Sequence, residues 1–215
     1  YGMTENCAYA TSNSPENIKI GTVGIPAHGV ELKLADDGEI LIRSGGVFKG
    51  YFKDDQATSE TIDKDGWLHT GDVGIYEGDF VKIIDRKRDI IITSGGKNVS
   101  PSEIENKIKV SPFIKEAIVI GDRRKFLSVL IGIEFDTVSN WALRKNIPHT
   151  TYRDLSEKQE VKDLVWKEIS KANELTSSLE VREFRMIPKE LDHEEGELTA
   201  TQKVKRNVLI DQFSD

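Results

Sequence analysis

The sequence predicts an α+β fold, β-rich over residues 1–87 and a small α+β unit over residues 88–215. Three observations lead to it. Apolar and polar residues alternate in short runs up to Ile84, with no strong amphipathic helix among them. A charged knot, Asp85-Arg86-Lys87-Arg88-Asp89, then marks a boundary near residue 88. Beyond the knot, strand-like and helix-like periodicities are mixed within one short stretch.

In chain order, Val30, Leu32 and Leu34 alternate with polar neighbours, Asp37-Gly38 offers a tight turn, and Ile40 and Ile42 resume the alternation, which reads as a hairpin. A polar stretch from Asp54 to Asp65 leads into Gly66-Trp67-Leu68-His69-Thr70-Gly71-Asp72, and a second hairpin turns at Glu77-Gly78-Asp79 into Phe80 to Ile84. After the knot, Ser94-Gly95-Gly96-Lys97 reads as a turn. Ser100-Pro101-Ser102-Glu103 is a helix start: the serine can accept from the amide of Glu103, the glutamate can return the bond, and proline suits the first helical position. That helix is predicted to end near Val110. Ile114 to Gly121 and Leu127 to Phe135 read as strands. Val161, Leu164, Val165, Ile169 and Ala172 form one helical stripe, and Val204, Val208, Leu209 and Phe213 another.

The 215 residues carry 30 Lys plus Arg against 37 Asp plus Glu, a formal charge of −7, so a broad basic face for nucleic acid or anionic membrane is not expected. One cysteine, Cys7, excludes an intrachain disulfide and a Cys-rich zinc site. No apolar run reaches the length of a membrane span. The opening Tyr1-Gly2-Met3-Thr4-Glu5 suggests a piece of a longer protein, and an acidic chain without an anchor suggests the cytoplasm, with peripheral membrane contact left open.

Four constellations could carry chemistry. Asp72, after a glycine, could accept two hydrogen bonds from the vicinal hydroxyls of a ribose, and equally could be a turn aspartate. Glu5, beside Thr4, could offer a hard oxygen to magnesium, or be a solvated acid. Lys203, ahead of the last helical stripe, could deliver positive charge to a phosphate, or be a surface lysine. The turn at Gly95, Gly96 and Lys97 could present backbone amides to a phosphate or let a thin chain pass, or be a plain hairpin turn. His28, His69, His149 and His193 lack ligand spacing. The run Arg123-Arg124-Lys125 reads as a solvated turn between strands.

Taken together and in order, these pieces resemble the adenylate-forming superfamily of acyl-CoA synthetases, nonribosomal-peptide adenylation domains and luciferases. Tyr1-Gly2-Met3-Thr4-Glu5 is similar to its tyrosine-glycine-x-threonine-glutamate motif, Thr70-Gly71-Asp72 to its ribose motif, and Asp85 to Asp89 with Gly95 to Glu105 to its hinge and the hairpin beyond. Lys203 matches its catalytic lysine, and Leu198-Thr199-Ala200-Thr201-Gln202-Lys203 is similar to the ending of long-chain fatty-acid CoA ligases. Gln202 departs from the glycine common before that lysine, and Arg88 from the lysine or aspartate frequent at the hinge.

The resemblance implies the β-rich end of a large N-terminal AMP-binding domain followed by a small mobile C-terminal domain. It also implies ATP, Mg2+ and CoA as reactants, and two steps through an acyl-adenylate. Thr4, Glu5 and Lys203 would be catalytic, with Glu5 holding magnesium; Tyr1, Gly2, Thr4, Asp72, Arg86 and Lys203 would bind the nucleotide. Arg88 would be the hinge, and Gly95, Gly96 and Lys97 would face CoA. The family's phosphate loop and acyl channel belong to the larger domain, so residues 1–215 alone are expected not to turn over. Two rivals stand beside this reading: an adenylating enzyme for another carboxylic or amino acid or a carrier-protein thiol, and a non-catalytic nucleotide-binding or regulatory module.

Overall fold

A computed structural model describes residues 1–175, 180–199 and 204–213, in two units, Tyr1–Ile90 and Ile91–Asp215. In the first, β1 (Thr11–Ser12) pairs with β2 (Ile25–Pro26), and β3 (Val30–Leu34), β4 (Glu39–Ser44), β5 (Leu68–Glu77) and β6 (Phe80–Arg86) form an antiparallel sheet in sequence order. Both expected hairpins are present, β3 with β4 and β5 with β6. Ile40 and Ile42 of β4, Leu68 of β5 and Val81 of β6 pack with Ala10 into one core, because side chains two apart share a face of the sheet.

Helix α1 (Asp55–Thr61) lies in the stretch read as free of helix. It buries none of its residues, so no apolar stripe betrays it; its signal is the cap, Asp54 Oδ1 accepting from Ala57 N at 2.9 Å.

The ladder between β4 and β5 contains a bulge. Leu41 pairs with His69 and Glu39 with Val73, so four steps along β5 oppose two along β4. Thr70-Gly71-Asp72 stand against Ile40 alone, two residues in excess, and Gly71 takes φ +69°, a conformation that favours glycine. Backbone groups released from the ladder need other partners. Thr70 Oγ1 donates to Ile40 O at 2.7 Å and accepts from Asp72 N at 3.1 Å, while Glu39 Oε1 accepts from Gly71 N at 3.0 Å.

In the second unit, β7 (Ile91–Ile92) and β8 (Asn98–Val99) form a small hairpin. Helix α2 (Pro101–Ile108) starts as expected, Ser100 Oγ accepting from Glu103 N at 3.2 Å. Strands β9 (Ile114–Ile120) and β10 (Leu127–Ile133) are antiparallel. Helices α3 (Phe135–Arg144), α4 (Tyr152–Glu157) and α5 (Gln159–Glu174) then lead to β11 (Val181–Met186), which pairs parallel with β10. Helix α6 (Arg206–Phe213) follows. Phe135, read as the end of a strand, opens α3 instead and stacks on Tyr152 with ring centroids 5.8 Å apart. The α+β class holds across both units.

Strand β10 is buried on both faces: Val129, Ile131 and Ile133 join the cluster under α5, with Val161, Val165 and Ile169, while Leu130 joins Ile118, Ile187 and Leu209 of α6. Glu105 and Glu197 are the buried acids among the described residues of this unit. Glu105 of α2 accepts from Val119 N of β9 at 2.7 Å and pairs with Arg206 of α6 at 2.6 and 2.9 Å, and Arg206 also donates to Val119 O at 3.0 Å. Three elements thus meet at one ion pair whose hydrogen bonds compensate its burial. Among the described residues no helix is long and apolar enough to cross a membrane.

Removing one partner leaves the other charge buried, so Glu105→Ala is expected to lower the stability of the second unit by about 3 kcal/mol. Glu105→Leu combined with Arg206→Met should lose clearly less, and urea unfolding followed by Trp141 and Trp166 fluorescence compares the two.

Candidate functional site

The bulge presents Asp72 between two partners. The strand pairing sets Arg86 of β6 directly opposite Asp72, with Arg86 Nε 2.9 Å from Oδ1, and Arg86 Nη1 donates to Thr70 O at 3.4 Å. Oδ2 accepts from the Tyr1 hydroxyl at 2.5 Å. Asp72 is only 6% exposed. Burial, and then the Asp72 acceptor, push the Tyr1 hydroxyl far above its ordinary value, so it remains a donor at neutral pH. A carboxylate oriented in this way has lone pairs left to accept from a diol.

Tyr1 leads into a tight turn. A Cβ on Gly2 would fall 2.2 Å from the carbonyl carbon of Ala8, which excludes any side chain there. Thr4–Asn6 form one 3-10 turn, closed by Met3 N donating to Asn6 Oδ1 at 2.9 Å and Ala8 N donating to Met3 O at 2.8 Å. Cys7 and Ala8 follow at φ 57° and 56°, a strained left-handed pair of the kind found at functional turns. Thr4 is exposed. Glu5 is half-buried, with Oε1 accepting from the Tyr51 hydroxyl at 2.8 Å and its carbonyl from Phe48 N at 2.8 Å. Among the described residues no group of three or more His, Cys, Asp or Glu could hold a metal ion. A single carboxylate is still a fitting donor for magnesium, which ordinarily takes one or two carboxylates together with substrate phosphates and water.

Glu39 gathers a second set of groups, and sequence reasoning missed it. Its side chain is 6% exposed; Oε2 accepts from Lys87 Nζ at 2.9 Å and lies 3.2 Å from His69 Nδ1, while Oε1 holds the Gly71 amide. Lys87 also pairs with Asp37 at 2.6 Å. Burial opposes the charged form of Glu39, yet Lys87, the Gly71 amide and His69 outweigh it and hold the carboxyl below its ordinary value. Asp37 and Glu39 raise the Lys87 ammonium in turn. The one signal for Glu39 in the sequence is an acid heading the apolar run Ile40-Leu41-Ile42. Gly71, Arg86, Lys87 and Arg88 line an open cleft of about 450 Å³, and the Arg88 side chain is 85% exposed within the single 3-10 turn Lys87–Asp89.

In the second unit Gly95, Gly96 and Lys97 form the exposed turn between β7 and β8. Gly96 has φ +75°, Gly96 N donates to Thr93 O at 2.9 Å, and Thr93 N donates to Lys97 O at 3.1 Å. The turn is braced by the Arg123-Arg124 loop, where Arg123 N donates to Ile92 O at 2.8 Å and Arg124 O accepts from Ser94 N at 3.0 Å. The structure therefore joins Tyr1, Asp72 and Arg86 directly and sets Gly2, Thr4 and Glu5 on the adjoining turn. Gly95, Gly96 and Lys97 belong to the other unit, and Lys203 lies outside the described residues.

Residues 88–215 match the family model of the AMP-binding enzyme C-terminal domain, and residues 1–52 match that of the AMP-binding enzyme. The chain is 38% identical over 217 residues to the long-chain-fatty-acid–CoA ligase FadD15 of Mycobacterium tuberculosis, covering 100% of this chain and 36% of that protein. It is 35% identical to long-chain-fatty-acid–CoA ligase 6 of Mus musculus, covering 99% of this chain and 33% of that one. It spans about a third of the length of these curated relatives. Among solved structures, the adenylation domain of a carboxylate reductase from Mycobacterium chelonae aligns with a TM-score of 0.75 at 22% identity, over 100% of this chain and 33% of that one, a likeness of fold. O-succinylbenzoate coenzyme A synthetase from Bacillus subtilis, solved with ATP and a magnesium ion, aligns with a TM-score of 0.67 at 27% identity, over 100% of this chain and 40% of that one. With more than half of its length matched by the C-terminal model, the chain belongs to the AMP-binding enzyme family.

Proposed function

We propose that the chain is the C-terminal portion of a long-chain fatty-acid CoA ligase, with residues 1–87 closing the large AMP-binding domain and residues 88–215 forming the mobile C-terminal domain. The observation that supports it most is the buried Asp72 carboxylate held between Tyr1 and Arg86, together with the likeness to long-chain ligases along the whole chain. In the reaction so proposed, the fatty acid carboxylate attacks the α-phosphorus of ATP and pyrophosphate leaves. The CoA thiolate then attacks the acyl carbon of the adenylate, giving the thioester and AMP.

The residues divide this work. Asp72 accepts from the ribose hydroxyls, Arg86 and Tyr1 fix its carboxylate, and Gly2 allows the close turn that brings Thr4 to the phosphate. Glu5 and the phosphates would hold magnesium, which supplies positive charge where negative charge grows. Lys203 adds a second cation at the same point, and stabilisation of developing charge together with orientation supplies most of the acceleration. Between the half-reactions the C-terminal domain turns about Arg88, withdrawing Lys203 and bringing Gly95, Gly96 and Lys97 toward the thiol channel. The remainder of the AMP-binding domain would supply the phosphate loop and the acyl pocket. The acidic charge favours a cytoplasmic location, with any membrane contact peripheral.

ATP–pyrophosphate exchange in the full-length parent, with a series of fatty acids and no CoA, tests the reading. Exchange stimulated by long-chain acids is the expected result; exchange with amino or aryl acids alone would move the protein to another branch, and none with any acid would favour a binding module. Lys203→Ala is expected to slow exchange by about 100-fold or more. Transfer from supplied acyl-adenylate to CoA should meanwhile stay within about threefold of wild type, since that step does not use the lysine. Asp72→Asn weakens a charge-assisted contact to the ribose and is expected to raise the KM for ATP by about tenfold.

A further inference from the structure

Two places that must work together lie on either side of one carboxylate. Gly71, whose backbone sets the position of Asp72, donates to Glu39 Oε1 at 3.0 Å; Lys87, which immediately precedes Arg88, donates to Glu39 Oε2 at 2.9 Å. Both partners ride on the bulged ladder, Gly71 at φ +69° and Lys87 in the turn that follows β6. The side chain of Glu39 is almost wholly buried and already bonded at both oxygens, so it cannot follow one partner without moving relative to the other. Asp37 holds Lys87 from the solvent side at 2.6 Å, fixing the lysine between two acids while Arg88 beside it extends into water.

We infer that Glu39 is a positioning residue that couples the nucleotide turn to the flank of the hinge. Lys87 anchored on Glu39 ends the rigid part of the first unit at residue 87, so that rotation is confined to Arg88 and the residues after it. Through the other oxygen, the same carboxylate holds the Gly71 amide and hence the angle at which Asp72 meets a ribose. A nucleotide seated on Asp72 stiffens the Gly71 turn, and that stiffening reaches Lys87 through Glu39, beside the Asp72–Arg86 pair that ties the turn to β6. This inference rests on the proposed roles of Asp72 and Arg88.

Lys87→Met in the full-length parent is the informative change, because Lys87 is half-exposed and its removal leaves the Glu39 carboxylate the Gly71 amide and His69 as partners. Amide hydrogen exchange is expected to quicken at Gly71 and Asp72 as well as at residues 86–90, and the KM for ATP to rise by about threefold. Glu39→Gln should quicken the same two segments, and adding Lys87→Met to it should change Gly71 no further; Lys87→Arg should restore most of the protection. If Lys87→Met quickens exchange at residues 86–90 alone and leaves the KM unchanged, the pair is a local salt bridge and the inference falls. Should the wild type make no adenylate from any acid, the enzymatic reading fails, while the exchange at Gly71 in Lys87→Met still decides the coupling by itself.

Discussion

The departure of β5 from its ladder is the constraint on which the first unit depends. Two extra residues opposite Glu39 and Leu41 turn a regular strand into a ledge, and the freed backbone groups are satisfied by the hydroxyl of Thr70 and the carboxylate of Glu39. Without the bulge, Asp72 would sit at an ordinary ladder position. The Thr-Gly-Asp succession is therefore a description of geometry: a hydroxyl to mend the ladder, a glycine for the positive φ, and an acid to show the ligand.

The second unit solves a different problem with a similar device. A three-stranded sheet whose central strand is covered on both faces needs its last helix held in place, and α6 is short. Arg206 and Glu105 fasten that helix to α2 and to the Val119 backbone, a contact that fixes the chain immediately beyond residue 203. Apolar contact through Leu209 adds to it without specifying orientation.

Much of this was legible from residue order. The hairpins at Asp37-Gly38 and Gly78, the capped start of α2, strands β9 and β10 and the stripe of α5 each carry a local pattern that the environment leaves unchanged. Helix α1 was not legible because none of its residues is buried, and Phe135 was misread because a large apolar residue ends an alternating run and begins a helix equally well. At the candidate site, Asp72 and Arg86 could be picked out from motif resemblance, and strand pairing brings them together. Glu39 could not, since its importance arises from register: only the bulge sets a residue that far back in the chain against the Gly71 amide, and only the end of β6 brings Lys87 to it.

The parallel pairing of β10 with β11 has a consequence for how the second unit comes into being. β9 and β10 are joined by a short loop and can zip as soon as both exist, but β11 arrives only after α3, α4 and α5 have been made. Closing so long a loop before any ladder bond rewards it is slow. Until then the far edge of β10, among the most apolar segments of the chain, stays open to any other extended strand, including that of a neighbouring nascent copy.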